Sequence, residues 1–178
     1  MIRLFVGLAL PAELAARLES LGGGVPGARW VAGRNLHLTL RFAGEVDEDV
    51  AEDLHHRLGG LRAPVFDIRL RGFGTFGGRK PRALWVGAEP NPALDALQSR
   101  IERLAQAAGL EPETRNFTPH VTLAWLKDAP ADRIAAFMRH HSPFAASFTV
   151  DHVCLYQSHL HAQGAEYQVL AEYALDSK

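Results

Sequence analysis

Two short stretches of the chain carry the same pair of polar residues. The stretch "NLHLTLRF" holds His37 and Thr39, and "PHVTLAW" holds His120 and Thr122. An imidazole, with an ordinary pKa of about 6.5, can accept or release a proton near neutral pH. A threonine hydroxyl can donate a hydrogen bond to a phosphate oxygen. Two such pairs would supply the base, the acid and the donors that cleavage of a phosphodiester requires.

Both stretches have the alternation of a half-buried strand, which predicts where their side chains point. Successive residues of a strand face opposite sides, so His37 and Thr39 are predicted to share one face, with Leu38 and Phe42 on the other. The same rule places Trp125 on the apolar face of the second stretch. A lone histidine on a strand is more often structural than functional, and duplication can copy a structural residue. Two matching motifs nevertheless favour a site built from both.

The elements around the two motifs repeat in the same order. A strand ("RLFVGLAL", then "ALWVGAE") precedes a helix ("PAELAARLESLG", then "NPALDALQSRIERLAQAAG") and the motif strand. A second helix follows ("DEDVAEDLHHRL", then "PADRIAAFMRHH"), and then another strand ("VFDIRLRGF", then "ASFTVDHVCLY"). The final strand, "YQVLAEYAL", completes the C-terminal half or crosses into the other half.

This repetition predicts an α+β fold of two similar lobes related by pseudo-two-fold symmetry. Each lobe is expected to be a mainly antiparallel sheet with outer helices, and the active-site cleft is expected to lie between them. We expect a single bilobal domain over residues 1–178. Its N-terminal half, about 1–80, carries the first motif, and its C-terminal half, about 81–178, carries the second.

The composition narrows the classes of function. The chain has 178 residues, of which 47% are hydrophobic, and a net charge of −1 at pH 7, so its overall charge gives no general attraction for nucleic acid. No apolar run reaches the roughly 18–20 residues of a membrane span. A soluble, cytoplasmic protein, acting as a monomer without membrane contact, is the expectation. The single cysteine excludes an internal disulfide, and its setting, "HVCLY", is typical of a small apolar side chain in a strand.

One segment is locally basic. The stretch "RLRGFGTFGGRKPR" combines arginines and a lysine with glycines and two phenylalanines. A flexible loop of this composition suits an RNA strand whose bases stack on aromatic rings. A glycine-rich connection with solvated arginines has the same composition, and both interpretations stay open at this point.

A metal site is the competing chemical interpretation, because the chain has nine histidines. Neither motif histidine, however, is accompanied by Asp, Glu or Cys at a familiar ligand spacing. Six other histidines lie near predicted helix ends or in a turn-like stretch and are expected on the surface: His55, His56, His140, His141, His159 and His161. The spacing therefore gives little support for a metal site at either motif.

The chain resembles the two-histidine phosphoesterase superfamily and, within it, the RNA 2′,3′-cyclic phosphodiesterase family, also named 2′-5′ RNA ligases. The resemblance rests on "RLFVGLALP", "NLHLTLRFAGEV", "PRALWVG", "NFTPHVTLAW" and "LYQSHLHAQGAEYQVL", which follow one another in the family's order over nearly the whole chain. It implies an enzyme without metal or cofactor that hydrolyses RNA 2′,3′-cyclic phosphate ends to 2′-phosphomonoesters. It also implies that the reverse reaction can join RNA ends by a 2′-5′ bond.

The resemblance also implies roles for particular residues. His37 and His120 would be the catalytic pair, with His120 as base and His37 as acid, and Thr39 and Thr122 would hold the phosphate. Related sequences often have an arginine just after the second motif, where this chain has Trp125.

Because that arginine is missing, the sequence does not show which cation would neutralise the charge of the phosphate. Lys127, Arg41 and Arg115 are the candidate substrate-binding cations, and Trp125 would either stack a base or belong to the core. Two other functions also remain open. One is a binding module for RNA ends or nucleotides that performs no chemistry. The other is a phosphodiesterase for different cyclic phosphates or 2′-5′ oligonucleotides.

Overall fold

The computed structural model describes residues 1–176 as nine strands and four helices. The strands are β1 (Ile2–Ala9), β2 (Ala28–Trp30), β3 (His37–Val46), β4 (Phe66–Phe76), β5 (Ala83–Ala88), β6 (His120–Leu126), β7 (Ala145–Val150), β8 (His152–His161) and β9 (Gly164–Ala174). The helices are α1 (Ala12–Ser20), α2 (Glu48–Leu58), α3 (Pro92–Ala107) and α4 (Ala131–His140). All four helices lie where the apolar periodicity predicts them.

The strands form one sheet in the order β7-β4-β5-β6-β3-β1-β8-β9, and β2 pairs with β6 beside this path. The pairings between the named strands are antiparallel. The order is symmetric about the β3–β6 pair: β1 and β5 flank it, β8 and β4 come next, and β9 and β7 form the edges. The predicted α+β fold with pseudo-two-fold symmetry is confirmed.

The two halves of the sheet do not coincide with the two halves of the sequence. Strand β4 comes from the first half of the chain but pairs with β5 and β7, and β8 and β9 come from the second half but join β1. The stretch "ASFTVDHVCLY", expected as one strand, is therefore two strands on opposite sides of the sheet, separated by Asp151.

The strand partner changes at this break. Phe148 and Val150 are buried in β7, which pairs with β4, and from His152 onward the chain pairs with β9 instead. The phase of burial changes at the same place, because the next buried residue, Val153, lies an odd number of positions after Val150. The crossover at Asp151 is what lets each half of the sequence complete the other half of the sheet.

The glycine-rich basic segment is also more ordered than its composition predicts. Strand β4 extends to Phe76, and a short turn, residues 77–82, joins it to β5. The N–H of Arg82 donates to the carbonyl of Phe76 at 2.7 Å, which closes this turn. The basic side chains Arg79, Lys80 and Arg82 are therefore carried on a tight hairpin rather than on a long loop. We call residues 77–82 the basic turn.

The helices cover the sheet with one apolar core. Each contributes buried side chains, such as Leu18 in α1, Leu54 in α2, Ile101 in α3 and Phe137 in α4, to a cluster that contains Leu4, Val6 and Leu8 of β1. The alternate residues of β1, from Phe5 to Ala9, face the other way and pack with Cys154 and Tyr156. Among residues 1–176, no helix is both long enough and apolar enough to cross a membrane.

Gly74 gives a test of this packing. A Cβ atom at this position would lie 2.4 Å from two atoms of the Trp85 indole, so Gly74→Val must displace that ring. We expect the free energy of unfolding to fall by about 1–3 kcal/mol, measured by urea denaturation. Gly60→Ala is the matched control, because its Cβ would meet nothing closer than 3.5 Å. Equal stability of Gly74→Val and the wild type would contradict the placement of Trp85.

Candidate active site

The two His-x-Thr motifs meet at the centre of the sheet. Strands β3 and β6 are joined through the antiparallel bridge pair Leu38 and Val121. One residue to either side of this bridge, the antiparallel register sets His37 opposite Thr122 and Thr39 opposite His120. Directly opposed residues have Cβ atoms about 4.5–5.5 Å apart. Each histidine therefore has its own threonine on one side and the threonine of the other motif across the strand pair.

Both imidazoles are fixed in the same way. The Nδ1 of His37 lies 2.8 Å from the carbonyl oxygen of Asn35, and the Nδ1 of His120 lies 2.6 Å from that of Thr118. A carbonyl oxygen can only accept, so each Nδ1 carries the proton, and in the neutral ring Nε2 holds the lone pair. In His37 this Nε2 accepts from the Thr39 hydroxyl at 2.9 Å.

Aromatic rings surround each histidine. The His37 ring centroid lies 4.7 Å from that of Phe5, 5.0 Å from Tyr167 and 5.8 Å from Tyr156. His120 lies 4.8 Å from Phe76 and 5.9 Å from Trp85. These rings exclude water from one side of each imidazole while the other side remains partly accessible.

This environment lowers the pKa of both histidines. Burial is the main cause for His37, whose pKa falls to about 4 against the opposing effect of the Asn35 carbonyl, and the nearby His120 contributes to the reduction. Burial likewise lowers the pKa of His120, opposed by the Thr118 carbonyl. Both rings are therefore neutral at pH 7, and each has an Nε2 lone pair to offer as a base.

Two glycines leave the sheet surface beside the motifs without side chains. Gly7 of β1 pairs with Thr39, and Gly87 of β5 pairs with His120. A Cβ on Gly7 would lie 2.9 Å from a backbone oxygen and 3.6 Å from the His37 ring, and one on Gly87 would lie 3.1 Å from Trp85. The segments "LFVG" and "LWVG" thus both flank the site, but in registers that differ by two residues.

The motif strands share a β-bulge that changes which way their later residues point. In β3 the register shifts between Thr39 and Arg41, and in β6 it shifts between Thr122 and Ala124. A bulge of this kind reverses the alternation after it. Phe42 and Trp125 are consequently exposed, at 38% and 45%. The expectation that they lie on the apolar face is wrong for this reason.

The same bulge turns Arg41 away from the histidines. Arg41 is buried, its Nε lies 2.5 Å from the Glu102 carboxylate of α3, and it also donates to the carbonyls of Phe42 and Glu111. Burial alone would raise the pKa of Glu102, but the hydrogen bond from Arg41 and others outweigh it and lower that pKa. Contrary to its predicted role in substrate binding, Arg41 lies on the helix side with its guanidinium engaged.

The other two candidate cations lie outside the pair of motifs. Arg115 is exposed in the loop before β6, where it donates to the Glu113 carboxylate at 3.1 and 3.2 Å. Those hydrogen bonds lower the pKa of Glu113 to about 2. Lys127 is exposed immediately after β6, close to the basic turn, since the N–H of Leu126 donates to the Arg82 carbonyl. Of the two, only Lys127 follows the second motif along the histidine-bearing strand.

A pocket of about 140 Å³ opens beside His37. Trp125, Arg29, Arg34, Asn35 and Tyr167 contribute to its lining. Asn35 is 9% exposed, donates from its amide nitrogen to the carbonyl of Ala165, and leaves its Oδ1 buried without a hydrogen-bond partner among the described residues. The pocket thus combines aromatic rings with two cations.

Sequence reasoning missed most of this surrounding shell. Phe5 and Trp85 could have been found, because they occupy matching positions in the repeated segments "LFVG" and "LWVG". Tyr156 and Tyr167 come from strands that the chain halves exchange, so no repeat pointed to them. In the part of the chain described, neither motif histidine belongs to a group of three or more residues able to hold a metal ion.

Comparison with known proteins gives the same family from sequence and from structure. The model of the 2′-5′ RNA ligase superfamily matches residues 10–162. An RNA 2′,3′-cyclic phosphodiesterase of Aeropyrum pernix is 39% identical over 84% of this chain and 86% of its own length, and one of Thermotoga maritima is 34% identical over 82% and 79%.

Two solved structures have the same fold. A Thermus thermophilus protein has a TM-score of 0.81 at 30% identity, covering 99% of this chain and 100% of its own. Escherichia coli LigT in complex with 3′-AMP has a TM-score of 0.78 at 28% identity, covering 98% of both chains. Since the family model matches most of the sequence, including the residues of both motifs, this chain belongs to the 2′-5′ RNA ligase superfamily.

Proposed function

We propose that this protein hydrolyses the 2′,3′-cyclic phosphate at the end of an RNA to a 2′-phosphomonoester. The observation that carries the proposal is the antiparallel pairing of the two motifs, which brings two histidines and two threonines to one place at the seam of the sheet. The names of the relatives, RNA 2′,3′-cyclic phosphodiesterases, support the same activity.

In the proposed complex, the cyclic phosphate lies over the bridge pair that joins β3 to β6. There the hydroxyls of Thr39 and Thr122 donate to its non-bridging oxygens. Thr39 can do so once it releases His37 Nε2. The two imidazoles then lie on opposite sides of the phosphorus, as an in-line displacement requires.

His120 acts as the base and His37 as the acid in the hydrolytic direction. His120 Nε2 removes a proton from a water molecule, the water oxygen bonds to phosphorus, and the bond from phosphorus to the 3′ oxygen breaks. His37 gives its proton to that oxygen. The Nε2 of His120 has no protein partner among the described hydrogen bonds, which favours it as the base. Negative charge on the bound phosphate raises the pKa of His37, so that it can carry the proton it must donate.

The same groups can also join RNA ends. A 5′-hydroxyl would replace the water, its oxygen would bond to phosphorus as the bond to the 3′ oxygen breaks, and the cyclic phosphate, which is itself the activated group, would become an RNA 2′-5′ bond. His120 would remain the base and His37 the acid; the two exchange roles only in the opposite direction, when the 2′-5′ bond is cleaved back to the cyclic phosphate, as microscopic reversibility requires. No nucleotide cofactor or metal ion takes part in this mechanism. One chain supplies both histidines, so a monomer suffices.

The RNA extends from the phosphate over the exposed aromatic and basic groups. Trp125 offers an open indole face for stacking a base, worth about 1–3 kcal/mol per base in other proteins. Arg29 and Arg34 lie beside it in the same pocket. Beyond it, Lys127 and the basic turn continue the positive surface toward the His120 side.

Replacing either motif histidine tests the catalytic roles. Acid or base catalysis by one group is worth about 10²–10⁴-fold, so we expect His37→Ala and His120→Ala each to lower kcat by that factor on a short RNA with a 2′,3′-cyclic end. The assay includes EDTA and identifies the 2′-phosphate product by chromatography. His56→Ala, on the exposed face of α2, is the matched control and is expected to retain the full rate.

Other outcomes of that assay separate the rival functions. RNA binding without any product would favour a non-catalytic end-binding module. Loss of turnover on chelation would refute the metal-independent mechanism. A faster reaction with other cyclic phosphates or 2′-5′ oligonucleotides would show that those molecules, rather than RNA 2′,3′-cyclic ends, are the preferred substrates. Circular dichroism of each variant establishes that the fold is intact.

The lowered histidine pKa values predict an acidic pH optimum for kcat/KM. Above both pKa values neither imidazole carries the proton needed by the acid, and below both neither can be the base. In the free protein these values are about 4 for His37 and below 6.5 for His120, so kcat/KM should fall as the pH rises through neutrality. The kcat profile should lie at higher pH, because the bound phosphate raises both pKa values. A kcat/KM that still increases between about pH 7 and 8 would be inconsistent with these environments.

The basic turn predicts a salt-dependent contribution to RNA binding. Changing Arg79, Lys80 and Arg82 together to glutamine should weaken binding and reduce the slope of log K against log salt by roughly 0.7 for each phosphate that these side chains neutralise. The control changes Arg103, Arg133 and Arg139, exposed on α3 and α4, which alters the net charge equally. Equal slopes for the two triple variants would show that the turn is only a solvated connection.

A further inference from the structure

A second cluster of reactive side chains lies on strands β8 and β9. One ligand atom each from His152, Cys154 and Glu172 lies within 4.8 Å of the other two. Cys154 and Glu172 are directly opposite in the β8–β9 ladder. His152 is two residues before Cys154, so strand alternation gives it the same face. Three different donor types therefore converge on one point of the sheet.

This donor set has the chemistry of a zinc site. Zn²⁺ is bound in proteins by cysteine sulfur, histidine nitrogen and carboxylate oxygen, in tetrahedral geometry, and three protein ligands can be completed by a water molecule. Magnesium and calcium prefer oxygen ligands throughout, which this group does not offer. The softer sulfur and nitrogen atoms thus select a transition metal of the zinc type.

His152 has a carboxylate in hydrogen-bond contact with its ring. Its Nδ1 lies 2.5 Å from Oδ1 of Asp151. If Nδ1 donates to that carboxylate, Nε2 is left with the lone pair that a metal requires. A carboxylate behind a ligating histidine fixes the ring and raises its basicity. Asp151 is also the residue at which the chain crosses from β7 to β8.

The cysteine is enclosed by the sheet, whereas the glutamate beside it reaches solvent. Cys154 is 1% exposed. Glu172 is exposed and gives the site an opening to solvent. A divalent cation that entered by this opening would displace the thiol proton and hold the thiolate beside the carboxylate.

We propose that His152, Cys154 and Glu172 bind one Zn²⁺ ion, with Asp151 orienting His152, at a site separate from the two motif histidines. The ion would fasten β8 to β9, the strands that carry Tyr156 and Tyr167 against His37. Gly7 lies between Cys154 and Thr39 across the sheet, so the site is on the same sheet face as the motifs but two strands away. Its role is structural and does not depend on the proposed hydrolysis.

Cobalt substitution tests the proposal directly. Purified apoprotein is titrated with Co²⁺, and a thiolate-to-cobalt charge-transfer band is expected in the near ultraviolet for the wild type and absent in Cys154→Ser. Zn²⁺ affinity is measured in competition with a chromophoric chelator. We expect a large loss for Cys154→Ser and Glu172→Gln, and about a 10- to 100-fold loss for Asp151→Asn. One Zn²⁺ equivalent should also raise Tm in the wild type but not in Cys154→Ser or Glu172→Gln.

The control is His159→Ala, on the same hairpin and hydrogen-bonded to Gln168 rather than to the cluster; it should bind like the wild type. Absence of the charge-transfer band, or Zn²⁺ binding that survives both Cys154→Ser and Glu172→Gln in folded variants, would overturn the proposal. Binding abolished instead by His37→Ala would do the same, because it would place the ion at the motifs. None of these readouts requires turnover, so failure of the hydrolysis assay leaves them interpretable.

Discussion

The contact between β3 and β6 is the constraint on which the rest of the molecule depends. A single bridge pair, Leu38 and Val121, links the two motif strands in register. Both residues are fully buried from solvent. Because side chains alternate, burying these two residues on the helix side forces their neighbours, two histidines and two threonines, onto the other side. The apolar core thus determines the position of the polar site through strand alternation.

The β-bulge after each motif divides the residues that face the candidate site from those that face the core. Before it, polar residues face the site and leucines face the core. After it, the order is reversed, so that an aromatic residue is exposed and the preceding residue is buried. In the first copy that buried position is Arg41, and burying a guanidinium is costly unless it is paired and hydrogen-bonded. Glu102 and two carbonyls meet that requirement, which ties β3 to α3 and to the loop ahead of β6.

Much of the fold and the centre of the site could be predicted from the sequence, since both follow from local periodicity. Leucines at helical spacing indicate the helices, and the repeated His-x-Thr indicates the motif strands. Long-range pairing has no such signal. Nothing local indicates that β4 joins β5 rather than β1, or that a bulge redirects Arg41 and Trp125. The shell of aromatic rings was missed because Tyr156 and Tyr167 reach His37 only through strands exchanged between the halves.

That exchange of strands has a consequence for how the molecule is assembled. If each half had kept its own strands, each half of the sheet would come from one continuous half of the sequence. As arranged, the sheet half around His37 requires β8 and β9, which follow all the other strands along the chain. The ring environment of the first histidine is therefore completed only after β8 and β9 have been synthesised. A chain that stops before β8 lacks Tyr156 and Tyr167, and with them the burial that adjusts proton affinity at His37. The chain must therefore be synthesised through β9 before His37 has its full aromatic surroundings.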